Sequence, residues 1–325
     1  MPLVMVLHGG GGNAENAIYS YGFNATSDTS NFIVAYPEGT GSLVTYGKVS
    51  GSWNAGTCCG EAALRQTDDV SFISSLIDDV STKFAIDSSR VYATGFSNGA
   101  MMSYRLACDL SDKIAAIAPV GGQMGVVSCN MTRPVSVLHM HGTGDPCALF
   151  NGSTDTKLCG GCLQNYYKAI GVPTSGDGTF QCTATATAID TYRKILLLDT
   201  PTTNVFMGSV TCQRFATAQS WLSNSFLTQN PIAPWGDLNL WKQRLNSTEI
   251  LFCPIVGMGH TWPSPSPHYD IQQCDLACDT KTCSAAEQNA YNTYCVPYKN
   301  AVGALSTAVN ANAEIWKFFQ THTRN

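Results

Sequence analysis

The sequence predicts an α/β fold, a mostly parallel central sheet with helices on both faces and a long Cys-rich insertion. Three observations carry this. Several short runs read as strands and are apolar throughout, as strands buried on both faces are. Segments with helical spacing alternate with them. Across residues 147–245 the alternation breaks down into a stretch rich in Gly, Thr, Asn and Cys.

The first strand is Leu3-Val4-Met5-Val6-Leu7, which runs into His8-Gly9-Gly10-Gly11-Gly12, a glycine loop. A second strand over 32–36 is stopped by Pro37. Across 69–84 the apolar residues Val70, Ile73, Ile77, Val80 and Phe84 recur at helical spacing, and Asp68 or Asp69 can cap the start. Residues 91–94 form a third strand, followed by Gly95-Phe96-Ser97-Asn98-Gly99 and a buried helix over 100–106. Residues 114–120, 135–141 and 250–256 are further strands, the last leading into Gly257-Met258-Gly259-His260. Leu305, Val309, Trp316 and Phe319 share one helical face near the end of the chain. The expected organisation is a single catalytic domain over 1–325, with insertions at 147–245 and 263–300 held by disulfides rather than by a core of their own.

The composition narrows the class. Of 325 residues, 44% are hydrophobic and only 13% charged, which argues for a sizeable core and against disorder. The net charge of -5 and the lack of a Lys/Arg run make nucleic acid and anionic membrane poor partners. No apolar stretch approaches the length of a membrane span. The 14 cysteines are an even number. Sequons stand at Asn24, Asn130, Asn151 and Asn246. Together they point to a secreted, extracellular glycoprotein with disulfides. Cys159-Gly-Gly-Cys162 has metal-ligand spacing, but no second Cys or His pair follows at zinc-site distance. The pairing of the cysteines is not readable from sequence. A secreted chain should open on a leader, whereas this one opens in a buried strand. The expectation is a removed leader and a truncated N-terminus.

Gly95-Phe96-Ser97-Asn98-Gly99 lies between a strand and a helix, the setting in which such a pentapeptide forms a nucleophile elbow. The turn is too tight for bulk two residues either side of Ser97, and the following helix points its N-terminus at the hydroxyl. The bland alternative is an ordinary tight turn. A serine hydroxyl needs a base, and the α/β-hydrolase order is Ser, then acid, then His. Of His139, His141, His260, His268 and His322, only His260 follows an apolar strand in a glycine loop. His139 reads as a packed core residue, and His141 as one that orders the next loop. Asp145, in His141-Gly142-Thr143-Gly144-Asp145-Pro146, follows a core strand and is the expected acid. Asp155, Asp190 and Asp199 are rivals without such a strand, and a turn-capping Asp before Pro is the alternative for Asp145. The N–H groups of Asn98 and Gly10 are the expected oxyanion donors. Such a set needs neither metal nor cofactor. Trp53 and Trp262 are expected to line the substrate pocket, with loop-anchoring or core roles as the equal alternative. Cys58 and Cys59 are expected to pair separately with other loops.

The chain then resembles a known family, the polyhydroxybutyrate-depolymerase and feruloyl-esterase group of carbohydrate esterase family one. The resemblance rests on Leu7-His8-Gly9-Gly10-Gly11-Gly12, Trp53-Asn54-Ala55-Gly56-Thr57-Cys58-Cys59-Gly60, Asp68-Asp69-Val70-Ser71-Phe72, Gly95-Phe96-Ser97-Asn98-Gly99-Ala100-Met101-Met102, His141-Gly142-Thr143-Gly144-Asp145-Pro146 and Gly259-His260-Thr261-Trp262-Pro263. It implies the triad Ser97, Asp145 and His260, and a secreted enzyme acting on polymeric esters: feruloyl or acetyl esters of plant polysaccharide, or polyesters. The segment 147–245 is longer than the family's usual connection, and Ser264 stands where family members often carry Gly after Trp-Pro. Both departures lie near the expected substrate site. The expected protein is a monomer. Two other readings share the sequence: a serine peptidase on the same fold, and a secreted binding module on an inactive hydrolase scaffold.

Overall fold

The computed structural model describes residues 1–45, 48–154, 162, 166, 168, 170, 182–201, 203–217, 247–276 and 278–324. Its strands are β1 (Leu3–Leu7), β2 (Ile33–Ala35), β3 (Thr40–Thr45), β4 (Lys48–Ser52), β5 (Val91–Phe96), β6 (Ala116–Val120), β7 (Ser136–Gly142), β8 (Thr203–Met207), β9 (Val210–Ala216) and β10 (Glu249–Ile255). Among the described residues the main sheet runs β2-β1-β5-β6-β7-β10-β9-β8, and β3 and β4 form a separate hairpin. Pairings from β2 to β10 are parallel, while β9 joins β10 and β8 antiparallel.

The helices are α1 (Ala14–Tyr21), α2 (Phe23–Ser30), α3 (Gly60–Leu64), α4 (Asp69–Lys83), α5 (Asn98–Asp109), α6 (Thr185–Ile195), α7 (Ala285–Ala290), α8 (Val296–Val302) and α9 (Ala311–Gln320). They cover both faces of the sheet, which explains the uninterrupted apolar strands. In β1, Leu3, Met5 and Leu7 pack on one side with Ile73 and Ile77 of α4 and Met102 of α5. Val4 and Val6 pack on the other with Ala17 of α1, Phe23 of α2 and Ile315 and Phe319 of α9. All five β1 side chains are fully buried. Each such burial contributes about 1.5–3 kcal/mol, so β1 is fixed from both faces. This is the α/β-hydrolase arrangement.

The chain order places the candidate site. From β1 the chain moves outward to β2, then returns to place β5 on the other side of β1. The carboxyl ends of β1 and β5 meet at the register Leu7↔Gly95. Such a reversal opens a crevice beyond the strand ends, where ligands of open α/β sheets bind. The glycine loop leaves β1 there, and Ser97 leaves β5 there.

Several expectations change. The helix expected near the C-terminus starts only at Ala311, because the Asn310 side chain accepts from Ala313 N at 3.2 Å and caps it. Leu305 and Val309 precede it. Part of the 147–245 segment belongs to the sheet, since β8 and β9 extend it past β10 and Cys212 is bonded to Cys253 across that junction. Cys58 and Cys59 pair with each other, not separately. Their loop is instead held by hydrogen bonds, Thr57 N donating to Gly125 O at 2.9 Å and Cys59 N to Trp53 O at 3.2 Å. Cys162 is bonded to Cys147, which takes it out of any metal set, and Cys159 lies outside the described residues. Further bonds join Cys108 to Cys129, Cys274 to Cys295 and Cys278 to Cys283. The sequon residues Asn24, Asn130 and Asn151 are exposed, and Asn246 lies outside the described residues. No helix among the described residues is long and apolar enough to cross a membrane.

Candidate active site

Ser97 sits between β5 and α5 with φ 54° and ψ -117°. A non-Gly residue pays on the order of 1–3 kcal/mol for such a backbone. The surroundings hold it there: Ser97 N donates to Val120 O, and Ser97 O accepts from Met101 N, each at 3.0 Å. The flanking glycines are sterically required. A Cβ on Gly95 would lie 2.7 Å from Leu7 O and from the Gly99 carbonyl, and one on Gly99 would lie 2.3 Å from Leu7 O. The Ser97 side chain makes no capping bond to α5, so its hydroxyl is left to the crevice.

Gly257, Met258 and Gly259 carry the chain from β10 to His260. Two backbone bonds pin this loop to the end of α8: Gly259 N to Ala304 O at 2.9 Å and His260 N to Val302 O at 2.6 Å. The imidazole packs against Phe96, ring centroids 4.6 Å apart. Its Nδ1 lies 2.7 Å from Asp145 Oδ2. A carboxylate only accepts, so Nδ1 carries the proton and Nε2 keeps its lone pair. The other Asp145 oxygen, Oδ1, accepts from the backbone N–H of Cys147 and of Ala148, both at 2.8 Å. Burial alone would raise the Asp145 carboxyl, but the His260 and His141 imidazoles outweigh it and hold it well below the usual carboxylate range.

Ser97 and His260 line one cavity of about 420 Å³, together with the loop from Gly9 to Gly12. The loop's N–H groups are allotted unequally. Gly9 N donates to the Tyr21 hydroxyl at 3.1 Å, Gly11 N to Gly51 O at 2.8 Å and Gly12 N to Gly9 O at 3.0 Å. Gly10 N has no acceptor among the described residues, and Gly10 lies against Asn98, its notional Cβ 3.5 Å from Asn98 Cβ. Asn98 opens α5, where a backbone N–H has no partner within the helix. The two expected oxyanion donors are thus adjacent and uncommitted. His8 steadies this loop from beneath: Nδ1 bonds Gly9 O at 2.8 Å and Nε2 accepts from Gly39 N at 2.9 Å. Burial pushes the His8 pKa down to about 4, against a smaller opposing pull from Gly9.

The two tryptophans do not line the cavity, which corrects that expectation. Both are buried, Trp53 at 0% and Trp262 at 2% exposure. Trp53 locks the donors in place: its N–H donates to Asn98 Oδ1 at 2.7 Å, its C=O accepts from Asn98 Nδ2 at 2.9 Å, and its Nε1 donates to His8 O at 3.0 Å. Trp262 stacks on Tyr21, centroids 4.6 Å apart, and donates to Asn312. An indole serves these anchoring roles because it joins a large apolar face to one N–H donor.

The rival residues lie elsewhere, except His141, whose Nε2 is 3.3 Å from Asp145 Oδ2. His268 bonds the Tyr19 carbonyl and His322 the Phe318 carbonyl, while His139 and His141 are buried in β7. Asp190 pairs with Arg193 and Lys194, each at 2.7 Å. Asp199 donates its N–H to Ala216 O beside β9, and Asp155 lies outside the described residues. Asp145, Cys147 and His260 bring ligand-type atoms together. The Cys147 sulfur is spent on Cys162 and the carboxylate is filled by N–H donors, so these residues do not fit a metal ion.

Sequence reasoning missed part of the cavity wall. Tyr19 and Tyr21 come from α1, and Asp270, Ile271, Gln273 and Tyr298 come from the 263–300 segment. Burial raises the Asp270 carboxyl, with the Ser20 hydroxyl and His260 pulling the other way. The one signal for α1 was Asn13, whose Oδ1 accepts from Asn16 N at 2.9 Å and caps the helix. Nothing in the sequence marked Asp270.

Known proteins resemble the part of the chain that carries Ser97 and Asp145. Residues 1–165 match the family described as Esterase PHB depolymerase. Feruloyl esterase B of Piromyces equi is 36% identical over 133 residues, 39% of this chain and 23% of that protein. The bifunctional acetylxylan esterase/xylanase XynS20E of Neocallimastix patriciarum is 28% identical over 176 residues, 54% of this chain and 23% of that protein. The chain thus covers well under two thirds of these relatives' length. Among solved structures, an acetyl xylan esterase from Aspergillus awamori aligns with a TM-score of 0.46 at 17% identity, covering 80% of this chain and 84% of that one.

Proposed function

The chain belongs to the PHB-depolymerase esterase family, and from that premise we propose that it is a secreted serine carboxylic-ester hydrolase working through an acyl-enzyme on Ser97. The Ser97 Oγ attacks the ester carbonyl carbon, and His260 Nε2 takes the hydroxyl proton. The carbonyl electrons move onto oxygen, which the N–H groups of Gly10 and Asn98 receive. Collapse breaks the bond to the alcohol, which leaves with the proton from His260. Water then attacks the acyl group with the same help, releasing the acid and freeing Ser97. Asp145 stays ionised throughout, keeping the ring's tautomer and facing the imidazolium.

One observation carries this reading. The Asp145–His260 contact of 2.7 Å fixes the ring's proton on Nδ1, and that ring shares a cavity with a serine held at an elbow. The substrate class is a feruloyl or acetyl ester of plant polysaccharide, or a polyester such as polyhydroxybutyrate, by analogy with the esterases named above. The many disulfides and exposed sequon asparagines support an extracellular location. The described residues are read as one catalytic unit, because β8 and β9 of the long segment complete the sheet that carries the site. The test is the Ser97→Ala protein, expected to lose p-nitrophenyl acetate hydrolysis at an unchanged melting temperature. Retained hydrolysis would contradict the proposal.

A further inference from the structure

We propose that His141, backed by His139 and Tyr104, is a positioning residue for this reaction, placing a second imidazole N–H on the Asp145 oxygen that holds His260. The inference rests on the Ser97–His260–Asp145 reading above. His141 Nε2 lies 2.7 Å from Ala148 O and 3.3 Å from Asp145 Oδ2. A carbonyl only accepts, so Nε2 carries a hydrogen that is directed at Ala148 O, with Asp145 Oδ2 beside the same nitrogen. Behind this ring, His139 Nε2 lies 3.2 Å from His141 Nδ1, and the Tyr104 hydroxyl lies 2.9 Å from His139 Nδ1.

The Ala148 carbonyl therefore sets the direction of the whole row. With His141 neutral, its Nδ1 must accept from His139 Nε2–H. His139 Nδ1 then accepts from the Tyr104 hydroxyl. Every donor points the same way, from Tyr104 to the Ala148 carbonyl, beside which Asp145 Oδ2 lies. Burial, and then the neighbouring His141, push His139 well below its ordinary range, while burial pushes the Tyr104 hydroxyl well above its own. Both stay neutral. Phe252 of β10 packs beside His139, Phe150 beside His141 and the Tyr192 ring of α6 beside Tyr104. The titratable groups facing His141 are thus His139, Asp145 and, through Asp145, His260. All three of Tyr104, His139 and His141 are buried, at 1% exposure or less.

The row does what the Cys147 and Ala148 amides do not. Those amides fix Oδ1, whereas Oδ2 must face the His260 ring as it gains and loses a proton. A second donor on Oδ2 makes it a weaker base, so it aligns the imidazolium without taking its proton. Plain core packing of two histidines needs no such alignment of donors.

The experiment compares kcat, KM and the pH profile on p-nitrophenyl acetate for the parent chain, His141→Leu, His141→Gln, Tyr104→Phe and Ser97→Ala. His141→Leu is expected to lower kcat about tenfold at unchanged KM. Its acid limb moves to higher pH, because a carboxylate with one donor fewer holds the imidazolium more firmly. His141→Gln, whose amide can donate to the same oxygen, recovers most of the loss. His141→Leu with kcat within about twofold of the parent and an unmoved limb would overturn the proposal. Should His141→Leu fail to fold, Tyr104→Phe decides. It removes one oxygen at the far end of the row, and is expected to lower kcat about two- to threefold with a limb displacement of the same sign. An unchanged kcat and limb there would overturn it. Ser97→Ala separates the two levels: residual hydrolysis there refutes the nucleophile assignment, whereas its loss with unaffected His141→Leu and Tyr104→Phe refutes only the positioning role.

Discussion

Two parts of the cavity wall are built on different terms. The part at the switch point is backbone: loops leaving β1, β5, β7 and β10, fixed by hydrogen bonds and by glycines that leave no room for a Cβ. The other part, from α1 and residues 263–300, is made of long side chains such as Tyr19, Gln273 and Tyr298. It is tied by the Tyr19 hydroxyl bonding Asp275 and by the Cys274–Cys295 and Cys278–Cys283 bonds. The proposed reacting groups sit on the wall that cannot adjust. The groups proposed to meet the rest of a substrate sit on the wall whose side chains can be exchanged without moving the first.

That contrast predicts a gradient of effects. Asp145→Asn should cut kcat by about 10³–10⁴-fold in a folded protein, since the amide can hold the wrong tautomer of His260. A loss under tenfold, measured by steady-state kinetics, would place the acid elsewhere. Gly10→Pro removes one N–H from the rigid wall and should cost about 10²–10³-fold in kcat with KM little changed. Gly99→Ala acts on folding instead. Its Cβ would press on Leu7 O at 2.3 Å, and the expected loss is more than about 3 kcal/mol by urea denaturation. A neutral outcome would mean that the elbow can relax.

The rigid wall also carries a pH dependence. The folded His8 pKa of about 4 lies below its ordinary 6.5, so between these values the unfolded chain binds more protons. Stability should therefore fall as pH drops from about 6.5 toward 4, by up to about 3 kcal/mol. His8→Asn should flatten the melting-temperature profile in that window, and an identical slope would contradict the assignment. The smallest effect belongs to the other wall. Asp270→Ala should raise KM for a feruloyl or acetyl sugar ester while leaving p-nitrophenyl acetate turnover within about threefold. Equal losses on both substrates would merge the two walls into one functional unit.

The same contrast explains what could be read from the sequence. Gly95 and Gly99 are visible because the elbow leaves no room for a Cβ, and the loop after β1 because four glycines stand in a row. The apolar strands are visible because two helical layers bury both of their faces. The contact between Asp145 and His260 followed from each standing just past a core strand. The tryptophans were ambiguous, since an indole reads alike whether it faces a substrate or clamps a loop as Trp53 does on Asn98. Asp270 was unreadable, because a loop held by disulfides has no period and its approach to the cavity depends on pairings such as Cys274–Cys295. The sheet-extending strands β8 and β9 were missed for a related reason. An edge hairpin such as Thr203–Met207, mostly exposed, lacks the continuous apolar pattern of the interior strands.

The most direct test of the account asks whether the hydroxyl at 97 and the imidazole at 260 work as one unit. Turnover of p-nitrophenyl acetate would be measured for Ser97→Ala, His260→Ala and the double variant. Side chains that form one nucleophile are not additive, so the double variant should be no slower than the slower single one. A double variant slowed by the product of the two single losses would show that the two groups act independently, and the account would be wrong.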